Sequence, residues 1–303
     1  MFKVMSNQML GHLFALFTIF IWGITFVSSK LLLEYFSPLA IMVLRFSLAY
    51  VGLWIIHPKF YKVRSIKEEL IYMAAGITGV SGYFFMENSA IIYTTVSNTG
   101  LILAAAPLFV AIITHLFTED ERFHINLAYG FIIAMLGVAL IIFNGQANLK
   151  VNPLGDFMAL MAGVIWAFYS LAIKKMDKKM SPIFLTRRTF FYGILSGGIF
   201  LFTFEGGIDL SPMLTTNSWM HILFLGLIAS GTCYVLWNKA IRYIGAVKTS
   251  NYIYLMPVFT MVASALVLHE TITAMMLVGC GFILFGVYIS ENGVKRIILL
   301  FAR

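Results

Sequence analysis

The chain has 303 residues, of which 60% are hydrophobic and 11% charged, with a mean hydropathy of +0.91; a soluble domain carries about 25% charged residues. This composition excludes a soluble enzyme or binding domain and indicates a polytopic membrane protein. The net charge of +8 does not point to nucleic acid, because the basic residues are spread over many short loops and form no single soluble face.

Apolar segments of about 20 residues, enough to cross a bilayer core of about 30 Å as helix, recur near 10–33, 39–57, 70–92, 95–118, 124–144, 153–174, 182–204, 219–241, 247–268 and 272–291. These ten spans are apolar on nearly all sides and broken by short polar turns, so they predict an all-α protein; a membrane barrel would alternate in short segments. The first span is too long for a signal-peptide core and precedes no small-residue cleavage site, so it is expected to stay as the first helix. With the N-terminus cytoplasmic, every Lys and Arg falls on the cytoplasmic side except Lys30, Lys150 and Arg45, which lies within a span. That bias predicts cytoplasmic N- and C-termini in a cell inner membrane or plasma membrane. Residues 292–303 form a basic cytoplasmic tail, either laid on the bilayer surface or solvated. Cys233 and Cys280 fall inside spans with neither a disulfide framework nor metal-ligand spacing, so packing is their expected role, with no metal and no cofactor.

The chain repeats itself. Trp22 to Pro38 is matched by Trp166 to Pro182; Asn88, Ala90, Tyr93 and Pro107 recur as Asn238, Ala240, Tyr243 and Pro257; Glu121, Gly130 and Gly137 recur as Glu270, Gly279 and Gly286. Each half, 10–144 and 153–291, is therefore five helices, and an odd number makes the second half enter the membrane from the opposite side. The loop charges agree: little basic charge follows span 1 and KKMDKK follows span 6, while the loop after span 2 is basic and that after span 7 carries Glu205 and Asp209. Inverted repeats of this kind are typical of carriers that alternate access around a site between the halves.

WGITFVSSK in span 1, SPLAIMVLRF opening span 2, the hairpin ENSAIIYTTVSNTGLILAAAP, and FTEDER and LHET before glycine-containing helices together resemble the drug/metabolite transporter superfamily, specifically its EamA type, from about Gly11 to Glu291. The resemblance implies a ten-helix carrier with a central cavity, often an exporter of amino acids or other metabolites. The second half departs from the first at two places, with Thr189 matching Arg45 and Trp237 matching Glu87, so the halves are not expected to bind identical groups. No G-x-x-x-x-G-K-[ST] loop supports direct ATP drive, HETIT lacks the second histidine of a zinc protease, and no G-x-S-x-G elbow is present, so no enzyme is expected. Two further readings stand beside the exporter: facilitated exchange without proton coupling, and a non-transporting membrane receptor or enzyme accessory on the same fold.

Along the chain, Trp22 in span 1 and Trp166 in span 6 lie mid-span, away from the interfaces where tryptophan is enriched. With Tyr83 and Tyr169 they either line an aromatic cavity for an amphipathic substrate or pack helices. Span 3 carries Gly76, Gly79, Tyr83, Glu87 and Ala90 at intervals of three and four, a small and polar face that should meet protein or water. Glu87 is either a satisfied structural carboxylate or a substrate-binding and proton-coupling group. Arg45 lies seven residues from Pro38 and Glu87 six from Tyr93, which puts both roughly 9 to 10 Å below the outer surface at about 1.5 Å per residue. At one depth they either pair with each other or clamp the two ends of a zwitterion, the guanidinium taking a carboxylate. Asn88, Ser97 and Asn98 could add hydrogen bonds. Pro107 and Pro257 should kink spans 4 and 9, and His115 should sit at the membrane interface. Glu121 and Glu270 should complement the dipoles of the fifth and tenth helices, while Gly193, Gly197, Gly279 and Gly286 permit close helix contacts, within one chain or in a homodimer.

Overall fold

A computed structural model describes residues 6–60, 62, 65–94, 96–143, 152–177, 179–267 and 272–292. The residues described are helical or in loops and turns, with no strand among them. Lys150, Glu270 and the tail from 293 onward lie outside the described residues, as do the side chains of Ser97 and Asn98.

Helix α1 (Asn7–Leu32) is capped by Ser6 and α2 (Pro38–Ile56) by Ser37, whose hydroxyl accepts the Ala40 N–H at 3.1 Å. Pro38 opens α2 at the one turn where a missing N–H costs nothing. Pro153 and Pro182 open α8 (Pro153–Lys175) and α9 (Pro182–Glu205) in the same way. Between them, α3 (Ile66–Gly76) continues through a π-helical stretch, Ile77–Gly82, into α4 (Tyr83–Tyr93); α5 (Val96–Leu103), α6 (Ala106–Phe117) and α7 (Ile125–Phe143) follow. After α9 come a short α10 (Ser211–Thr215) and α11 (Ser218–Leu223), which runs through a second π stretch, Phe224–Thr232, into α12 (Cys233–Ile244). Helix α13 (Ala246–Asn251), a 3₁₀ turn at Tyr252–Leu255, α14 (Met256–Val267) and α15 (Ala274–Asn292) complete the chain.

Among the described residues, 6 helices are long and apolar enough to cross a membrane: Asn7–Leu32, Pro38–Ile56, Thr99–Phe117, Ile125–Phe143, Pro153–Lys175 and Ser218–Ile244. Pro107 and Pro257 each stand in the first turn of a new helix, α6 and α14, after a tightened or broken turn. There the missing proline N–H falls in a first turn, where it needs no intrahelical partner.

The two halves interleave. Helix α1 packs on α12 and α14, and its sequence counterpart α8 packs on α4 and α6; α2 lies against α9, and α7 against α15. Glycines set the last contact, because a Cβ on Gly137 would come within 2.5 Å of the Gly279 carbonyl oxygen, and one on Gly286 within 2.6 Å of that of Gly130. Small residues let such backbones meet, which is how helices associate where the solvent is as apolar as the side chains. Gly193 and Gly197 serve α9 likewise, facing Val80 and Met42.

Glu121 differs from the sequence expectation. It lies in the loop ahead of α7, which begins only at Ile125, and its carboxylate accepts the N–H groups of Ala246 and Val247 at 2.8 and 3.0 Å. It therefore caps α13 in the other half of the chain and not its own helix. The physical reason is Gly245, whose φ of 88° turns the chain so that the first amides of α13 face the carboxylate. His115 Nδ1 accepts the Phe123 N–H at 3.2 Å and holds the same loop.

Candidate functional site

The centre of the bundle is aromatic. Trp22 lies 5.1 Å from Trp237, 5.4 Å from Trp166 and 5.6 Å from Tyr234, ring centre to ring centre, and Trp166 lies 5.0 Å from Tyr83 and 4.9 Å from Tyr169. On one side of this cluster a cavity of about 280 Å³ is walled by Trp22, Tyr83, Trp166 and Tyr234, by apolar residues of α5, α7, α14 and α15, and by two charges, Arg45 and Glu87.

The two charges do not pair. No ion pair within 4.0 Å joins them, and each has its own holder. Arg45 Nε donates to Ser230 Oγ at 2.9 Å, and its guanidinium lies 4.6 Å from the centre of the Phe84 ring. Glu87 accepts from the Tyr83 hydroxyl at 2.9 Å, one helical turn earlier. Arg45 is 3% and Glu87 9% exposed. Only one guanidinium nitrogen and one carboxylate oxygen are bonded in this way, and among the described residues the rest have no hydrogen-bond partner. Both residues line the cavity, so a molecule that enters it can reach these groups.

The other sequence candidates fall in two places. Tyr169 is fully buried behind Trp166 and donates to Asn238 Oδ1 at 2.7 Å. Asn88 is buried away from the cavity, donating to the Pro38 carbonyl at 3.5 Å with Oδ1 unpaired. Its counterpart Asn238 reaches Thr186 Oγ1 at 3.0 Å near the start of α9, so both asparagines tie a long helix to the N-terminus of a neighbour. The Asn98 side chain lies outside the described residues.

The π stretches matter because the wider turn leaves carbonyls free. Gly79 O accepts from the Tyr234 hydroxyl at 2.8 Å, and Ala229 O from Trp22 Nε1 at 2.9 Å. Gly79 and Ala229 stand at the same place of the sequence repeat, as do Trp22 and Trp166. Because Tyr234 occupies Gly79 O, Trp166 Nε1 is left without a partner. The residues matching Arg45 and Glu87 are buried: Thr189 bonds back to the Leu185 carbonyl at 3.0 Å, and Trp237 fills the centre. The halves share a frame, but among the described residues both charges that line the cavity come from the first.

Ser230 and Tyr234 were not singled out by the sequence reading. A signal existed, because Gly226, Ser230, Tyr234 and Asn238 follow at intervals of four, a small and polar face like that of Gly76 to Ala90.

Compared with known proteins, the chain matches the EamA-like transporter family over residues 9–143 and 153–291. It belongs to that family. Among its relatives, "Uncharacterized transporter YyaM" of Bacillus subtilis (strain 168) is 29% identical over 291 residues, 94% of this chain and 92% of that one. A "Probable amino-acid metabolite efflux pump" of Escherichia coli (strain K12) is 25% identical over 288 residues, 93% and 94% of the two chains. A solved crystal structure superposes with a TM-score of 0.77 at 15% identity, covering 96% of this chain and 98% of the other, a likeness of fold alone. This EamA-family protein is a multi-pass membrane transporter.

Proposed function

We propose that this transporter exports small amphoteric metabolites, amino acids foremost, with Arg45 gripping the substrate carboxylate and Glu87 its ammonium group. The observation that carries the reading is that two buried opposite charges line one aromatic cavity with no ion pair within 4.0 Å between them, each bonded to a neutral partner. Unpaired charge in a membrane is costly and is retained where it serves a substrate or ion. A planar guanidinium whose two terminal nitrogens have no hydrogen-bond partner among the described residues matches a carboxylate in two-pronged geometry, and the aromatic walls suit an apolar side chain. Export is favoured by the E. coli relative, a probable amino-acid metabolite efflux pump.

The carrier works by alternating access between inverted five-helix repeats, 10–144 and 153–291, with ten spans and both termini cytoplasmic. Supporting this are the exchanged packing of α1 and α8, the π stretches at matching places and the one-sided distribution of Lys and Arg. Glu87 is also the proton-coupling group, since a carboxylate facing substrate can trade it for a proton as access alternates.

The test is a charge swap. Arg45→Glu with Glu87→Arg retains both charges and should fold, but each end of an amino acid then meets the wrong sign. Calorimetry on the folded double variant should show amino-acid binding lost; parental affinity would leave the two charges with structural roles alone.

A further inference from the structure

At the end of the bundle opposite the central cavity lies a second, polar cavity of about 440 Å³, walled in part by Asp120, Lys174, Leu185, Ile241 and Lys248. The helices shared by the two cavities show that they lie toward opposite ends. Helix α7 contributes Ile141 and Ile142 to the first and Leu127 to the second, and α12 contributes Tyr234 to the first and Arg242 to the second. The buried rings of Tyr169 and Trp237 belong to the core between them.

Across the second cavity runs a compact set of bonds. Lys174, the last-turn lysine of α8, meets Asp120 at 2.7 Å and Glu121 at 3.0 Å. The same Glu121 carboxylate accepts both N–H groups of Ala246 and Val247. A Cβ on Gly245 would come within 2.4 Å of Glu121 Oε1, so the turn into α13 is fitted to that carboxylate. The Lys174 and Glu121 side chains are only 10% and 14% exposed. One carboxylate thus joins the α6–α7 loop of the first half to α8 and α13 of the second. Helix α13 leads through the 3₁₀ turn to Ile253, Met256 and Pro257, which wall the central cavity. At the other end the repeat-related lysine, Lys30, is exposed and has no ion pair among the described residues.

We infer that Asp120, Glu121 and Lys174, bound to the start of α13, form a latch that holds the far end shut while the central cavity is open, and that its release lets α13 and α14 move together to exchange access. This rests on the alternating-access reading above. An intact latch biases the protein toward one state, and its removal shifts the populations of both ends in opposite directions.

The experiment reads both ends at once, in purified protein in detergent with Cys233 and Cys280 replaced by Ala. Single reporters are Ser29→Cys, lining the central cavity, and Leu185→Cys, buried at the latched end. Each is modified with a charged methanethiosulfonate reagent. With Glu121→Ala and Lys174→Ala together, Leu185→Cys should react about tenfold faster and Ser29→Cys about tenfold slower, the change expected when loss of the latch inverts a population ratio of about 10:1. Faster reaction at Leu185→Cys with Ser29→Cys unchanged would mean local fraying and overturn the latch, as would no change at either site. If the double change does not fold, Glu121→Gln, which keeps an acceptor for α13 but removes the charge facing Lys174, must give the same reciprocal pattern at smaller size; unchanged rates in it overturn the proposal. No substrate is needed, so failure of amino-acid binding would strike the clamp and leave this result standing.

Discussion

Replacing Arg45 with Ala tests the substrate grip in a way that separates it from packing. Ser230 occupies Nε at 2.9 Å, so what the cavity loses is the pair of terminal nitrogens. A hydrogen bond to a charged group contributes about 1.5–3 kcal/mol. At about 1.4 kcal/mol per tenfold, loss of even one such bond weakens binding by about 10- to 150-fold. The assay is calorimetry with matched probes, L-leucine beside isopentylamine and L-tryptophan beside tryptamine, which differ only by the carboxylate. Arg45→Ala should cost the amino acids this factor and leave the amines nearly unaffected. Arg45→Lys should fall between, because it keeps the charge and loses the planar fork. An equal loss for amino acid and amine would mean that Arg45 shapes the cavity through its contacts with Ser230 and Phe84, and the clamp would be refuted.

Other expectations follow from the same geometry. Tyr83→Phe removes the hydroxyl bonded to Glu87 at 2.9 Å and should weaken binding of both amino acids and amines by about tenfold or less, a pattern unlike that of Arg45→Ala. Glu87→Gln should abolish the dependence of transport on a pH gradient while sparing exchange, read in proteoliposomes; gradient-driven transport equal to the parent would remove Glu87 from coupling. Gly137→Ala drives a methyl to 2.5 Å from the Gly279 carbonyl oxygen and should cost about 1–3 kcal/mol, seen as a lower melting temperature in detergent. The hydrogen bond and charge of Lys174 hold the exposed Asp120 carboxyl below the ordinary carboxylate range. A carboxyl depressed on folding contributes stability above its unfolded pKa of about 3.9, lost as pH falls through the folded value. The melting difference between the parent and Asp120→Asn should therefore be constant above about pH 5 and shrink as pH falls below it; a difference that grew with falling pH would contradict the pairing.

Hydropathy made the all-helical class legible because the bilayer fixes span length, although only 6 of the described helices are long and apolar enough to cross by themselves; small-residue spacing exposed the face of Gly76, Gly79, Tyr83 and Glu87. The π stretches were hidden, since a wider turn inside an apolar span leaves the hydrophobic pattern almost unchanged while freeing the Gly79 and Ala229 carbonyls. Counting residues from helix ends put Arg45 and Glu87 at one depth, but depth does not fix azimuth, and whether they pair depends on Ser230 and Tyr83 as competing partners. Glu121 was misread for a similar reason. Local position suggested its own helix, whereas its partners at Ala246 and Val247 are 125 and 126 residues away in sequence.

The measurement that bears most directly on the central claim is counterflow in proteoliposomes containing only this protein. Vesicles loaded with a pool of unlabelled L-amino acids and diluted into trace ¹⁴C-labelled L-amino acids should accumulate label transiently above protein-free vesicles, and the signal should vanish with Arg45→Ala. Accumulation no greater than in protein-free vesicles, from protein shown to be folded, would contradict the account of an amino-acid carrier built around Arg45 and Glu87.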